Sequence, residues 1–311
     1  MIRLIATRLL QVLLVLWLAA TLAFFAFHLT PGDPAQTLLA ASGAGPEEIA
    51  RRRAELGLDD PILIQYVRYL ADLVQGDLGI SWLHSRSVGR MILEQLPATA
   101  ELALAAILVG TFLGLVLGFL AALYQGTWVD TLATAIAAVG VATPTFWSGL
   151  LAILFFSLYL RWLPSSGGGG LRHLILPASV LGFALSGSIA RLVRAQVAEV
   201  LRTPYILAAR ARGLPLWRIL FVHVLRPAAG PVVTVIALQL GFLLGGAAVT
   251  EAVFARPGLG RMTLQAIVSR DLPIVRGTVL VSAVAYLLVS TLADLVRLWL
   301  DPRLRELEEK S

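Results

Sequence analysis

The stretch YILAARARGLPLWRILFVHVLRPA, residues 205–228, decides how this chain is read. It carries Arg210, Arg212, Arg218 and Arg226 between two long, almost purely apolar flanks. A bilayer-spanning helix does not tolerate an arginine every few residues, so the stretch is a connection. Pro204 suits the first position of a helix, and YILAARAR is helix-favouring. Gly213 then occupies the usual stop position. Pro215 opens a second helix, PLWRILFVHVL, expected to end at Arg226-Pro227. The prediction is two short helices joined by a sharp turn at Gly213-Leu214. Small Ala208, Ala209 and Ala211 leave one side thin, arginines flank it, and Leu214, Leu216 and Trp217 offer apolar contact. That is a knob shaped for another protein; on charge alone it would be only a basic loop held on the cytoplasmic side.

The composition supplies the setting. The 311 residues are 58% hydrophobic and 14% charged, and the mean hydropathy is +0.82. Soluble domains are nearer half apolar and a quarter charged, so the bilayer is the solvent. With no cysteine, the chain has no disulfide framework and no thiol metal site. The net charge of +6 is almost wholly arginine, Lys310 being the lone lysine. These charges lie between or beside apolar runs, which reads as topology rather than nucleic-acid binding.

A spanning helix needs about 20 mainly apolar residues. Six runs qualify: 9–29, 102–123, 131–160, 174–190, 228–250 and 277–293. The first resembles a signal peptide in front, but it is too long for one and HLTPGDPA is a poor cleavage site, so an uncleaved helix is expected. The chain divides into a first transmembrane helix at 1–30, an external segment at 31–96, a membrane core at 97–301 containing the loop 203–227, and a cytoplasmic tail at 302–311. In the external segment, residues 47–56 read as a charged helix after Pro46. Pro61 starts another, with Asp59 or Asp60 as cap, and Ile62, Tyr66, Leu70 and Leu73 recur on one face. The raw arginine count is nearly even between the two sides. The dense short-loop cluster from Arg191 to Arg226 decides the orientation, placing both termini inside.

At residues 203–227 the chain resembles the coupling loop, or EAA loop, of ABC importer permeases. Ala208-Ala209 match its alanine pair, Gly213 its glycine, and Leu225 and Pro227 its closing leucine and proline. Leu207 stands at the usual glutamate position and the proline falls one place late, as in the dipeptide/oligopeptide branch. FHLTPGDPA, LGLDDPILIQYVRYL, GDLGIS, EQLPATAELALAA, RLVRAQVAEVLRTPYILAARARGL and EAVFARPGLGRMTLQAIVSRDLPIVRG follow in the order of that branch. The resemblance covers essentially the whole chain and is to the first, B-type, of two permease subunits.

The resemblance implies an all-α integral membrane protein of the type I importer permease fold, with six transmembrane helices and alternating access. It implies a second, homologous permease in a heterodimer, two cytoplasmic ATPases carrying ATP and Mg, and an external solute-binding protein. It assigns the ATPase contact to Tyr205, Ala208, Ala209, Arg210, Arg212, Gly213 and Leu214. The chain has no Walker motif and is read as no enzyme, with no cofactor of its own, in a bacterial inner membrane. Peptides are the expected cargo; nickel, glutathione or a sugar-like solute is the alternative within the family. A channel or secondary transporter would carry rows of charge inside its spans, and an intramembrane enzyme would need paired carboxylates, a Ser/His set or a metal motif.

Other features carry less. PGLGRM, residues 257–262, lacks the Gly-Lys-Ser/Thr ending of a phosphate loop and reads as a turn. SSGGGG, residues 165–170, reads as a flexible external loop. His28, His84, His173 and His223 are scattered without metal spacing. Glu251, at the end of the fifth run, and Asp271 are the candidates for the substrate path; ion pairs with Arg256 or Arg270 would equally account for them. Pro144, Pro177 and Gly182 are candidate helix breaks, and the second to fifth runs are expected to line the pore with small and apolar side chains.

Overall fold

A computed structural model describes residues 2–28, 33–39 and 45–300. Every regular element among them is a helix, apart from an antiparallel bridge between Ile80 and Ser87. The tail at 302–311 and parts of the FHLTPGDPA stretch lie outside the described residues. The chain divides into two compact units. The first comprises the described residues of Met1–Thr99, Gly245–Ala248 and Pro257–Ala285. The second comprises those of Ala100–Leu244, Val249–Arg256 and Tyr286–Ser311.

The helices are α1 (Ile2–His28), α2 (Pro34–Leu39), α3 (Pro46–Glu55), α4 (Ile62–Val74), α5 (Val88–Leu123), α6 (Trp128–Ala142), α7 (Thr145–Ala152), α8 (Leu171–Leu201), α9 (Pro204–Ala211), α10 (Leu216–Arg218), α11 (Leu225–Leu244), α12 (Ala248–Val253), α13 (Leu259–Ser269) and α14 (Leu272–Leu300). Helices α5, α8, α11 and α14 each contain a stretch long and apolar enough to cross a membrane. Helix α6 and the α7 segment form a further, bent pair, and α1 carries a shorter apolar stretch, Leu10–Ala26. The described residues of the six apolar runs expected from sequence therefore lie mostly in helix, in order.

Two of the runs are broken. The third turns by 102° between α6 and α7. Pro144 has no N–H to continue the ladder and disfavours helical geometry in the residue before it, and Thr143 is extended at φ −84°, ψ 122°. Pro177 and Gly182, by contrast, lie inside an unbroken α8. The fifth run ends at Leu244 rather than at 250. Gly246 has φ +111°, and a Cβ there would stand 2.7 Å from Gly260 Cα. The same close approach explains PGLGRM: a Cβ on Gly260 would lie 2.5 Å from Ala248 Cα. Glycine is required there by packing.

The first unit holds the described residues of 31–96. Tyr66 and Tyr69 of α4 pack their rings on Phe24 of α1 at 5.2 and 5.7 Å, and Tyr66 Oη shares a 2.7 Å hydrogen bond with Thr21 Oγ1. The Arg276 guanidinium covers Phe24 at 4.4 Å and Tyr69 at 5.1 Å, a cation–π arrangement. Burial pushes the Tyr69 phenol above its usual range, against the opposing pull of Arg276. The expected face of α4 is the less exposed one: Tyr66, Leu70 and Leu73 are partly buried, while Ile62 at the helix start is about half exposed. Neither Asp59 nor Asp60 caps α4: Pro61 is the cap residue, with no side-chain bond. Asp59 accepts from Arg53 at 2.9 Å and Asp60 pairs with Arg68 at 2.7 Å. A cavity of about 520 Å³ lies among Arg52, Arg68, Tyr69, Trp82 and Arg276.

The second unit is organised by glycine. Gly110, Gly114 and Gly118 recur every fourth residue on α5 and meet α8. A Cβ on Gly114 would sit 2.6 Å from Ile189 Cβ, and one on Gly118 2.6 Å from Val193 Cβ. Gly182 answers from α8, where an added Cβ would lie 2.8 Å from Ala106 O. Helix α6 packs on α8 in the same way through Gly140 and Gly187. Small residues let helix backbones approach closely where water gives no drive between them. The opposite face of α5, with Leu104, Leu108 and Phe112, is exposed.

Candidate functional site

The loop 203–227 forms where the arginine spacing placed it. Pro204 opens α9, and the helix ends on a two-bond glycine motif. Gly213 N–H donates to Arg210 O at 2.9 Å and Leu214 N–H to Ala209 O at 3.3 Å. Gly213 adopts φ +72°, the left-handed conformation that lets the chain reverse and bond the last carbonyls. Leu214 is half-buried against the core beneath the hairpin.

The second half of the hairpin differs from the expected short helix. Pro215 O accepts from Arg218 and Ile219 N–H at 3.0 and 3.2 Å, starting α10. The backbone then continues through a π-helical stretch, Ile219–Val224, directly into α11. It does not stop at Arg226-Pro227. Pro227 lacks the N–H that would bond to His223 O in an α-helix, and Tyr205 Oη donates to that carbonyl at 3.1 Å. The wide-turned segment and the tyrosine together accommodate the proline, so the arm is the beginning of a membrane helix.

Burial sorts the contact residues. Ile206 is fully buried and Ala209 is 8% exposed; both lie in a core with Val193 and Val197 of α8, Ala122 of α5, and Ile219, Val224 and Ala228. Ala209 therefore faces inward. Its smallness serves the packing of α9 on α8. The outer face carries Leu207, Ala208, Arg210, Arg212 and Gly213, with Tyr205 half exposed. Trp217, Phe221 and Val222 add exposed apolar surface.

Of the two substrate-path candidates, Glu251 is fully buried and lies in the separate helix α12 of the second unit. Asp271 belongs to the first unit and is 1% exposed. Its carboxylate accepts from Ser81 Oγ at 2.5 Å, Trp82 N–H at 3.2 Å and Leu83 N–H at 3.1 Å, clasping the turn before α5. Asp271→Ala leaves these donors unsatisfied, at about 1–3 kcal/mol for a buried group. A cysteine placed at Ser85 should then label several-fold faster than in the parent; an unchanged rate would mean the turn holds without the carboxylate. Arg256 pairs with Glu101, Nη2 to Oε2 at 2.5 Å.

A further ion pair escaped the sequence reading. Asp130 at the start of α6 takes a two-pronged contact from Arg194 of α8, Nε to Oδ1 and Nη2 to Oδ2, both at 2.8 Å. Gly126 N–H and Thr134 Oγ1 also donate to it, at 3.1 and 3.3 Å. Immediately after α8, Arg202 Nη2 donates to Gln125 Oε1 at 3.0 Å. The signal was present: Asp130 is the lone acid between Glu101 and Glu199. Its partner, 64 residues on, was absorbed into a cluster read only for topology.

These features define a class: a multi-pass helical membrane protein that presents a rigid basic hairpin between two of its membrane helices. The chain belongs to the family described as binding-protein-dependent transport system inner membrane component, matched over residues 114–306, with the N-terminal component of the same system matched over 1–103. It is a membrane permease component of an ABC transporter. A Brucella abortus (strain 2308) protein, named provisionally as a peptide transport system permease protein, is 41% identical over 98% of this chain and 99% of its own. The probable D,D-dipeptide transport system permease protein DdpB of Escherichia coli (strain K12) is 40% identical over 91% and 92%. The glutathione transport system permease protein GsiC of Salmonella paratyphi A (strain ATCC 9150 / SARB42) is 36% identical over 98% and 99%. Among solved structures, a chain of the MetNI methionine ABC transporter in an inward facing conformation superposes with a TM-score of 0.59 at 20% identity, covering 68% of this chain and 96% of that one. That likeness shows the fold.

Proposed function

We propose that this chain is one membrane half of an ATP-driven importer of dipeptides or oligopeptides in a bacterial inner membrane. It works with a second, homologous permease, two cytoplasmic ATPases and an external solute-binding protein. The observation that carries the reading is the α9–α10 hairpin. Its turn is fixed by Gly213, its inner face is locked to α8 and α11, and its outer face offers Leu207, Ala208, Arg210 and Arg212. A rigid protrusion rooted in membrane helices can convert movement of a docked ATPase into helix tilt, a rigid-body switch. ATP and Mg belong to the ATPases. The peptide cargo is supported by relatives named for peptide and D,D-dipeptide transport; glutathione, itself a modified tripeptide, is the second reading.

The test is uptake into vesicles containing the four-part membrane complex and its binding protein. Labelled di- and tripeptides should be accumulated with ATP hydrolysis. Glutathione uptake without peptide uptake would replace the first reading by the second.

Topology is tested separately. In this proposal the hairpin and both termini lie in the cytoplasm, with 31–96 and 256–276 outside. The chain has no cysteine, so Arg212→Cys provides a single label. It should react with an impermeant maleimide only after the cells are opened; reaction from outside intact cells would invert the topology.

A further inference from the structure

We infer that the Asp130–Arg194 pair is the positioning element through which movement of the coupling hairpin reaches the broken span formed by α6 and α7. The inference rests on the reading of 203–227 as the ATPase contact. The hairpin shares one apolar core with α8, the end of α5 and the start of α11: Ile206, Ala209, Ile219 and Val224 pack with Ile189, Val193, Val197 and Ala122. These elements move together because close-packed interiors do not deform continuously. No residue of α6 belongs to that core. Helix α6 is joined to α8 by the glycine contacts at Gly140 and Gly187 and, at its first turn, by Asp130.

The geometry at Asp130 is that of a clamp. Both carboxylate oxygens accept from the Arg194 fork, a planar arrangement that fixes orientation as well as distance. Oδ2 also accepts from Gly126 N–H in the α5–α6 turn, and Oδ1 from Thr134 Oγ1 one turn on. The carboxylate thus ties the turn, α6 and α8 at one point, and Arg202–Gln125 ties the same turn to the hairpin's base. Every neighbour bonded to Asp130 is a donor. An asparagine there must present its NH₂ to a donor and breaks the set without changing shape. The Asp130 side chain is only 10% exposed while Arg194 is 37% exposed. Solvent screening therefore limits what the pair adds to stability, and its directional hold is the larger contribution. What α6 carries onward is the 102° bend at Thr143-Pro144 and the Thr145 and Ser148 hydroxyls of α7. Through it, a push on the hairpin becomes a rotation of the broken span.

The experiment uses the complete transporter in vesicles. Asp130→Asn and Arg194→Gln are measured for ATPase retention, ATP hydrolysis and peptide transported per ATP. The double variant Asp130→Cys with Arg194→Cys is measured with and without a short bis-methanethiosulfonate bridge. Expected is full retention of the ATPases and continued hydrolysis, with transport per ATP down about tenfold in each untethered variant, as for a network broken at one member. The bridge should restore it to within about threefold. Transport per ATP unchanged in the untethered variants, or not raised by the bridge, would overturn the clamp. If the single variants fail to insert, the bridged and unbridged cysteine pair decides alone. Loss of the ATPases from these variants also counts against the clamp, because the pair lies behind the docking face. The docking reading itself stands or falls with Gly213 and not with these residues.

Discussion

Gly213→Val is expected to leave the permease inserted in the membrane while the ATPases dissociate or hydrolyse ATP without transport. The residue sits at φ +72° with no atom within 4 Å of an added Cβ. Space is therefore not the obstacle; the backbone is. A left-handed residue with a side chain costs about 1–2 kcal/mol, and a β-branched one fares worst. Relief requires the turn to open, which separates Gly213 N–H from Arg210 O and Leu214 N–H from Ala209 O and withdraws Leu214 from the core. Asparagine visits this region more readily, so Gly213→Asn should retain most of the coupling. The measurement is ATPase retained on purified complex and peptide moved per ATP. Normal values in Gly213→Val would show the hairpin to be a topology signal only. If Asn and Val fail equally, the defect is a side-chain clash with the partner and not strain in the turn. Arg212→Ala, at the exposed rim, should weaken docking less and in a salt-dependent way. Ala209→Glu is a different experiment: it forces a carboxylate into the core beneath the hairpin and acts through folding.

Gly187→Leu should be the most damaging substitution in the second unit. A Cβ there would lie 2.1 Å from Ala137 O and 2.5 Å from Val141 Cγ2. The nearest atom is backbone, so no rotamer change relieves it and α6 must move off α8. The cost should exceed the ~1–3 kcal/mol typical of overpacking. Purified permease should be obtained in much lower yield, with a lower midpoint of thermal unfolding in detergent and no transport. Gly230→Ala is the matched control: it lies in α11 with no atom within 4 Å of the added methyl, and helix propensity favours alanine by roughly 0.5–1 kcal/mol. Equal stability of the two variants would show that the glycine contact between α6 and α8 does not hold the unit together.

The sequence by itself determined the solvent, the helical class, the order of the apolar runs and the position of the hairpin. These are local properties. An arginine every few residues excludes the bilayer, a proline before a helix and a glycine after it mark its ends, and Pro144 lacks a donor wherever it is placed. Family resemblance added the partners by analogy. What only the tertiary structure decided depends on which surfaces meet. Ala208 and Ala209 are chemically identical, yet one faces outward and the other is buried on α8; helical phase against a neighbour separates them. The run ending at Arg226-Pro227 read as a helix stop because the rule for proline is local. Tyr205, 18 residues earlier, supplies the missing bond to His223 O from another element. Asp130 and Arg194 each looked like a membrane-edge charge. Only the approach of α6 to α8 over small residues brings the two within 2.8 Å, and a contact spanning 64 residues leaves no periodic trace in a single sequence.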